Sequence, residues 1–177
     1  MKTTKILSIA VVACTMMFGT SAFAQKEKTV MVGGAAMYPS KNIVENAVNS
    51  KDHTTLVAAV KAAGLVETLQ GKGPFTVFAP TNAAFDKLPK GTVETLLKPE
   101  NKAMLQSVLT YHVVSGKMNA SDIAKAIKAG NGKAMLTTVQ GGKLTAWMKG
   151  KDLYISDENG GKAKVTIADV NQSNGVI

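Results

Sequence analysis

The side chains with which this 177-residue chain could do chemistry are few: His53 and His112, 12 acids, and a single cysteine, Cys14. A tetrahedral zinc site needs four nitrogen or sulfur donors, or carboxylates in their place, and the spacings here supply neither. The run Asp157-Glu158-Asn159 before Gly160-Gly161 lacks the alternating ligands and bidentate acid of a calcium loop, and reads as a hairpin turn. No glycine-rich loop ends in Lys-Ser or Lys-Thr, and no serine sits in a nucleophile elbow. Neither a cofactor nor a metal nor catalysis is expected. What remains are residues suited to touching a partner: Tyr111, His112, Trp147 and the pair Asp169-Val170.

Charge narrows the partners. All 21 basic residues are lysines, against 12 acids, for a net charge of +9. Without arginine the chain lacks the planar fork that reads guanine or phosphate bidentately, and its lysines are scattered from Lys26 to Lys164, so nucleic acid is not an expected partner. No run approaches the roughly 18 consecutive apolar residues of a spanning helix. Lys2 and Lys5 precede an apolar run, Ile6 to Met17, which leads to Ala22-Phe23-Ala24; residues 1–24 therefore read as a secretory signal peptide. Cleavage after Ala24 leaves 177 − 24 = 153 residues and a charge of 9 − 2 = +7. An alternative cleavage before Cys14 would leave a lipid-modified terminus. In the main reading the exported chain has no cysteine, so its fold depends on its core.

The elements that would position the candidates follow from periodicity and punctuation. Residues 25–38, with a charged start and the pair Gly33-Gly34, read as a flexible N-terminal arm, and order is expected from Pro39. Asn42 with Glu45 forms a capping box for a first helix, and Asp52 is placed to cap a second that stops at Gly64. Phe75 to Ala79, between Gly73-Pro74 and Pro80, reads as a central strand. Thr81 would cap a short turn, Pro99 would open a helix with Met104, Leu105, Val108 and Leu109 as its stripe, and Ser121 would cap another with Ile123, Ala124 and Ile127 inward. Four strand-like runs follow, Met135 to Val139, Lys143 to Lys149, Leu153 to Ser156 and Lys162 to Val170, separated by Gly-rich turns. Helices first and strands second predict an α+β class. Alternation puts Trp147 on the outer face of its strand, either exposed or covered by a cross-strand neighbour.

Three segments, Phe75 to Phe85 (FTVFAPTNAAF), Leu109 to Val114 (LTYHVV) and Ile167 to Ile177 (IADVNQSNGVI), resemble in order and spacing the signature boxes of the fasciclin domain family, which includes bacterial secreted proteins and animal matrix proteins such as periostin. The resemblance covers roughly residues 42–177. It implies a wedge of about seven mainly antiparallel strands with a cluster of helices along one edge, in domain 39–177, and an adhesion or binding role without chemistry. In animal relatives an Asp-Ile pair before the last box is linked to integrin binding; Asp169-Val170 stands at that place, with the second residue changed. The family pattern also runs on beyond Ile177 through a histidine and a closing apolar strand. On that resemblance the last strand is missing, which would cost on the order of 6 to 12 kcal/mol against a typical total of about 5 to 15.

The residues have ordinary roles as well. Thr81 and Asn82 suit a helix start, Tyr111 and His112 suit a hydrogen-bonded anchor between helix and strand, and Asp169 suits a cap on nearby backbone. Taken together, the sequence predicts a monomeric, secreted or periplasmic, non-enzymatic fasciclin-like binding module acting on an envelope or matrix protein or polymer. A carrier of a small apolar ligand is the alternative, and a cavity of several hundred Å³ would favour it.

Overall fold

The computed structural model describes residues 27–177, so the leader of residues 1–24 and Cys14 lie outside the described residues. Among the described residues the chain builds an α+β fold from ten short strands in sheets of two, four and four, as the sequence class predicts. Among the described residues no helix is long and apolar enough to cross a membrane.

The segment expected to be an arm holds a hairpin instead. Strands β1 (Val30–Val32) and β2 (Ala35–Met37) pair antiparallel across Gly33-Gly34, whose φ values of 56° and 78° are those of a primed turn. Val32 and Met37 are buried against Val170, which is why a segment with only a small apolar patch is held in place. Buried Asn46 then ties the hairpin to α1 (Ile43–Ala47): its side chain accepts from Tyr38 N at 2.9 Å and donates to Tyr38 O at 2.8 Å. The Asn42–Glu45 capping box at the start of α1 forms as expected, with bonds of 2.9 and 2.8 Å.

Helix α2 (Thr54–Ala63) is not capped by Asp52, because a 3₁₀ turn over Lys51–His53 precedes it. Its first turn is satisfied from a distance, by Asn82 Oδ1 accepting from Thr55 N at 3.1 Å while Asn82 Nδ2 donates to Lys51 O at 2.9 Å. Gly64 stops it with φ 70°. Next come α3 (Val66–Gln70), strand β3 (Phe75–Val77), α4 (Asn82–Phe85), where Thr81 makes no side-chain cap, and α5 (Thr92–Leu96). Helix α6 (Lys102–Tyr111) packs on α2 through Leu105 and Leu109 with Leu56, Ala59, Val60 and Ala63. Met104 and Val108, expected in that stripe, are exposed, since only one edge of α6 meets α2.

Strand β4 (Val113–Ser115) pairs with β3. Helix α7 (Ala120–Ala129) starts two residues earlier than a Ser121 cap would place it, its N-cap being Asn119; Ile123 and Ile127 point inward but Ala124 does not. The antiparallel meander is β5 (Lys133–Thr137), β6 (Lys143–Lys149), β7 (Asp152–Ser156) and β8 (Lys162–Lys164). Ala134, Leu136, Leu144, Ala146 and Ile155 form its inner face and close on Ile123, Ile127 and Val114. The run Lys162 to Val170 is a strand only over its first three residues, after which the chain turns through Asp169 at φ 60° into β9 (Asn171–Gln172) and β10 (Gly175–Val176). The second four-stranded sheet has the order β4-β3-β10-β9, with β10 parallel to β3, so β3 is central as its two apolar faces predict. Asn174 locks that turn by accepting from Ile43 N at 3.0 Å and donating to Leu69 O and Gly71 O, each at 2.8 Å.

Candidate functional sites

Four of the five candidate residues line one groove, and the fifth lies elsewhere. Tyr111, His112, Asp169 and Val170 border a largely apolar cleft of about 870 Å³ that runs between the end of β3 and the segment 161–169. Tyr111 donates through its hydroxyl to Lys143 O at 2.8 Å, tying the end of α6 to β6, and its ring edge leaves room only for glycine at 142, where a Cβ would approach Tyr111 Cε2 to 2.6 Å. Burial pushes the phenol up from its ordinary range, assisted by the negative charges of Glu158 and Asp157 and opposed by the Glu158 backbone donor. His112 Nδ1 lies 2.8 Å from Val108 O, in the last turn of its own helix.

Asp169 is spent on the fold in the same way. Its Oδ1 accepts from Ala120 N, the first residue of α7, at 2.6 Å, and its own carbonyl accepts from Asn171 Nδ2 at 3.0 Å. Val170 beside it is buried, so the pair does not form a jointly exposed contact.

The groove owes its shape to strand parity. Along β3 the even-numbered residues face β4: Gly116 N donates to Pro74 O at 2.9 Å and Phe78 N to His112 O at 2.9 Å. Odd residues face β10, where Phe75 N donates to Asn174 O at 3.0 Å. Strand β10 ends at Val176, opposite Thr76, so past that pair the edge of the β3 segment at Ala79 looks into the groove. The facing wall, Thr166 to Asp169, is exposed, and Ile167 is 44% accessible.

Trp147 occupies the outer face of the meander, as alternation predicts, and it has the cross-strand cover allowed for it. Its ring stacks on Tyr154 with centroids 4.7 Å apart and planes 17° off parallel, and its Nε1 donates to Ser156 Oγ at 2.8 Å. A depression of about 330 Å³ beside it is lined by Lys133, Thr145, Trp147, Ser156 and Lys162. Sequence reasoning missed Tyr154, Ser156 and the two lysines as companions of Trp147. The signal was there in the two-residue turn Gly150-Lys151, which sets Lys149 opposite Asp152 and hence Trp147 opposite Tyr154.

No group of three His, Cys, Asp or Glu side chains able to hold a metal occurs among the described residues. His53, the other histidine, is buried with its Nδ1 2.8 Å from Ser50 Oγ; burial holds its pKa below the ordinary value, against the opposing pull of Asp52 and a backbone bond with Ala79.

The order of strands and helices matches known proteins. The fasciclin domain family model covers residues 51–177. The chain belongs to the fasciclin domain family. A Synechocystis relative, "Protein sll1483", is 48% identical over 152 residues, covering 85% of this chain and 77% of that protein. The "Immunogenic protein MPB70" of Mycobacterium bovis is 41% identical over 103 residues, 55% of this chain and 52% of that one. The "Cell surface glycolipoprotein MPB83" of the same species is 34% identical over 157 residues, 78% of this chain and 66% of that one. In structure, a fasciclin domain pair from the insect cell adhesion molecule Fasciclin I superposes with a TM-score of 0.69 at 16% identity, covering 86% of this chain and 56% of the pair. At that identity the likeness concerns the fold alone.

Proposed function

We propose that this fasciclin-family chain is an exported binding module, released from a leader of residues 1–24, that works without catalysis at the cell envelope or in the matrix outside the cell. The observation that carries this reading is the outer face of the meander, where the only tryptophan of the chain stands beside a lysine-lined depression instead of in the core. A partly exposed aromatic ring in a depression is the kind of anchor on which partner recognition concentrates. Cell-surface relatives support the location. Of the other candidates, Tyr111, His112 and Asp169 would contribute by shaping the groove, with Val170 as its buried support. Capture of envelope material on the immobilised chain at low and at high salt tests the reading: retention that falls in Trp147→Ala is expected, and no retention at either salt would defeat it.

The groove favours a second reading, carriage of a small apolar ligand, because its volume is within the range of ligand pockets. Binding of an apolar fluorescent probe that is abolished by Ile167→Trp, an exposed position on the cleft wall, with the fold intact, is the expected result on that reading. Indifference of the probe to Ile167→Trp would rule it out.

A further inference from the structure

The register of the meander places four outward side chains in a single row across its strands. Lys133 pairs with Trp147, Trp147 with Tyr154, and Tyr154 with Lys164. Three strand spacings of about 4.8 Å make this row roughly 14 Å long. The neighbouring row, Met135, Thr145, Ser156 and Lys162, adds two hydroxyls and a further ammonium, and Lys162 Nζ stands 5.9 Å from the Trp147 ring centroid. Lys164 is engaged by Asp152 at 2.8 Å, whereas no ion pair forms at Lys133 or Lys162 among the described residues. Across the outward positions of the four strands there are five lysines (133, 143, 149, 162, 164) and one acid (Asp152), a balance of 5 − 1 = +4.

We propose that this face binds an acidic polysaccharide, with Trp147 and Tyr154 as the platform for its sugar rings and Lys133 and Lys162 as the charges that hold its carboxylates. The inference names a partner class for the surface-binding reading and rests on it. Sugar rings present C–H faces that lie on aromatic surface while their hydroxyls reach the Thr145 and Ser156 oxygens. Lysine is a compact, hydrated point charge that accepts a carboxylate from many directions, which suits a flexible polymer and needs no fork geometry. A folded protein partner fits less well, because the centres of protein interfaces are depleted of lysine. A single-stranded nucleic acid fits less well too, since Trp147 and Tyr154 stack on each other and leave one outer face each, which can seat a sugar ring but not a series of successive bases.

Since Trp147 is the only tryptophan, its fluorescence reads the site directly. The full chain is titrated at low salt with alginate, with dextran of similar length, and with a single-stranded oligonucleotide. A saturable change with alginate and none with dextran is expected, weakened at least tenfold both by raising sodium chloride to about 0.2 M, where screening is strong, and in the double variant Lys133→Gln/Lys162→Gln. Both lysines are exposed, so this variant should melt with the parent. Trp147→Phe, followed by calorimetry, should retain most of the affinity and Trp147→Ala should lose it. Unchanged affinity in the double lysine variant, a dextran response equal to that of alginate, or tighter binding of the oligonucleotide would each overturn the proposal. Envelope material captured without any alginate binding would sink the polysaccharide assignment alone; failure of both experiments would take the surface-binding reading with it.

Discussion

The two halves of this molecule solve the burial problem differently. Helix α7 and the meander close on each other face to face, with Ile123, Ile127, Leu136, Leu144, Ala146 and Ile155 all buried, so every side chain of the seam has partners on both sides. The half around β3 and β10 has a smaller seam: Ile43, Val77 and Val113 form a small buried cluster, and beyond Val77 the sheet edge faces the groove. A filled seam places most of its stabilisation in side-chain packing, whereas the open half depends on a few polar locks. Mutations in the two halves should therefore fail for different reasons.

Removing side chains from the seam should give the largest effect. Ile127→Ala or Ile155→Ala is expected to cost about 2 to 5 kcal/mol, while Val77→Ala, whose side chain borders an existing cleft, should cost under about 1.5. Chemical denaturation of the three variants checks this, and equal losses would erase the contrast. In the open half the sensitive residue is polar: Asn174→Ala deletes one acceptor and two donor bonds at once and leaves Leu69 O and Gly71 O without that partner, for about 2 to 4 kcal/mol. Asn174→Asp tests the polarity of the lock, since a carboxylate keeps the bond to Ile43 N but cannot donate to either carbonyl. It should recover less than half of the loss.

The contrast also explains what could be read in the residues beforehand. The meander, α7 and the central position of β3 were legible because their apolar residues recur at periods of two and three to four, and because glycines punctuate them. The hairpin of residues 30–37 was not, since its burial comes from Val170, more than a hundred residues away, and from Asn46, a polar residue that on a helix reads as solvent-facing. Asn82 illustrates the same limit: a helix cap was expected near it, but for the helix that follows it rather than for Thr55 on α2. Of the candidate contacts, Trp147 was placed correctly on its face by alternation. Its partners required the strand register, and the groove required the long-range pairing of β10 with β3.

A smaller effect should come from the joint between the halves. The Asp169 carboxylate receives the first backbone N–H of α7, an arrangement that helix ends favour both by hydrogen bonding and by charge. Asp169→Ala is expected to cost about 1 kcal/mol. Asp169→Asn should restore most of it, because asparagine keeps the oxygen and tolerates the left-handed backbone at φ 60°. Thermal melts of the pair separate this capping role from a contact role: a partner that binds through the carboxylate would be lost in both variants alike.

The smallest effect expected is in the pH dependence of the open half, and it turns on His53. Burial lowers its pKa in the folded chain, so between the ordinary value of 6.5 and that lower value the unfolded chain binds a proton that the folded one refuses. The neutral ring therefore contributes stability that is fully present above pH 6.5 and is lost as the pH falls through 6.5 towards the folded pKa. The melting temperature of the parent should decline over that window more steeply than that of His53→Gln, which keeps a polar side chain near Ser50 without a titrating ring. Parallel slopes for the parent and His53→Gln would show that burial of the neutral His53 ring is not what makes the fold acid-sensitive.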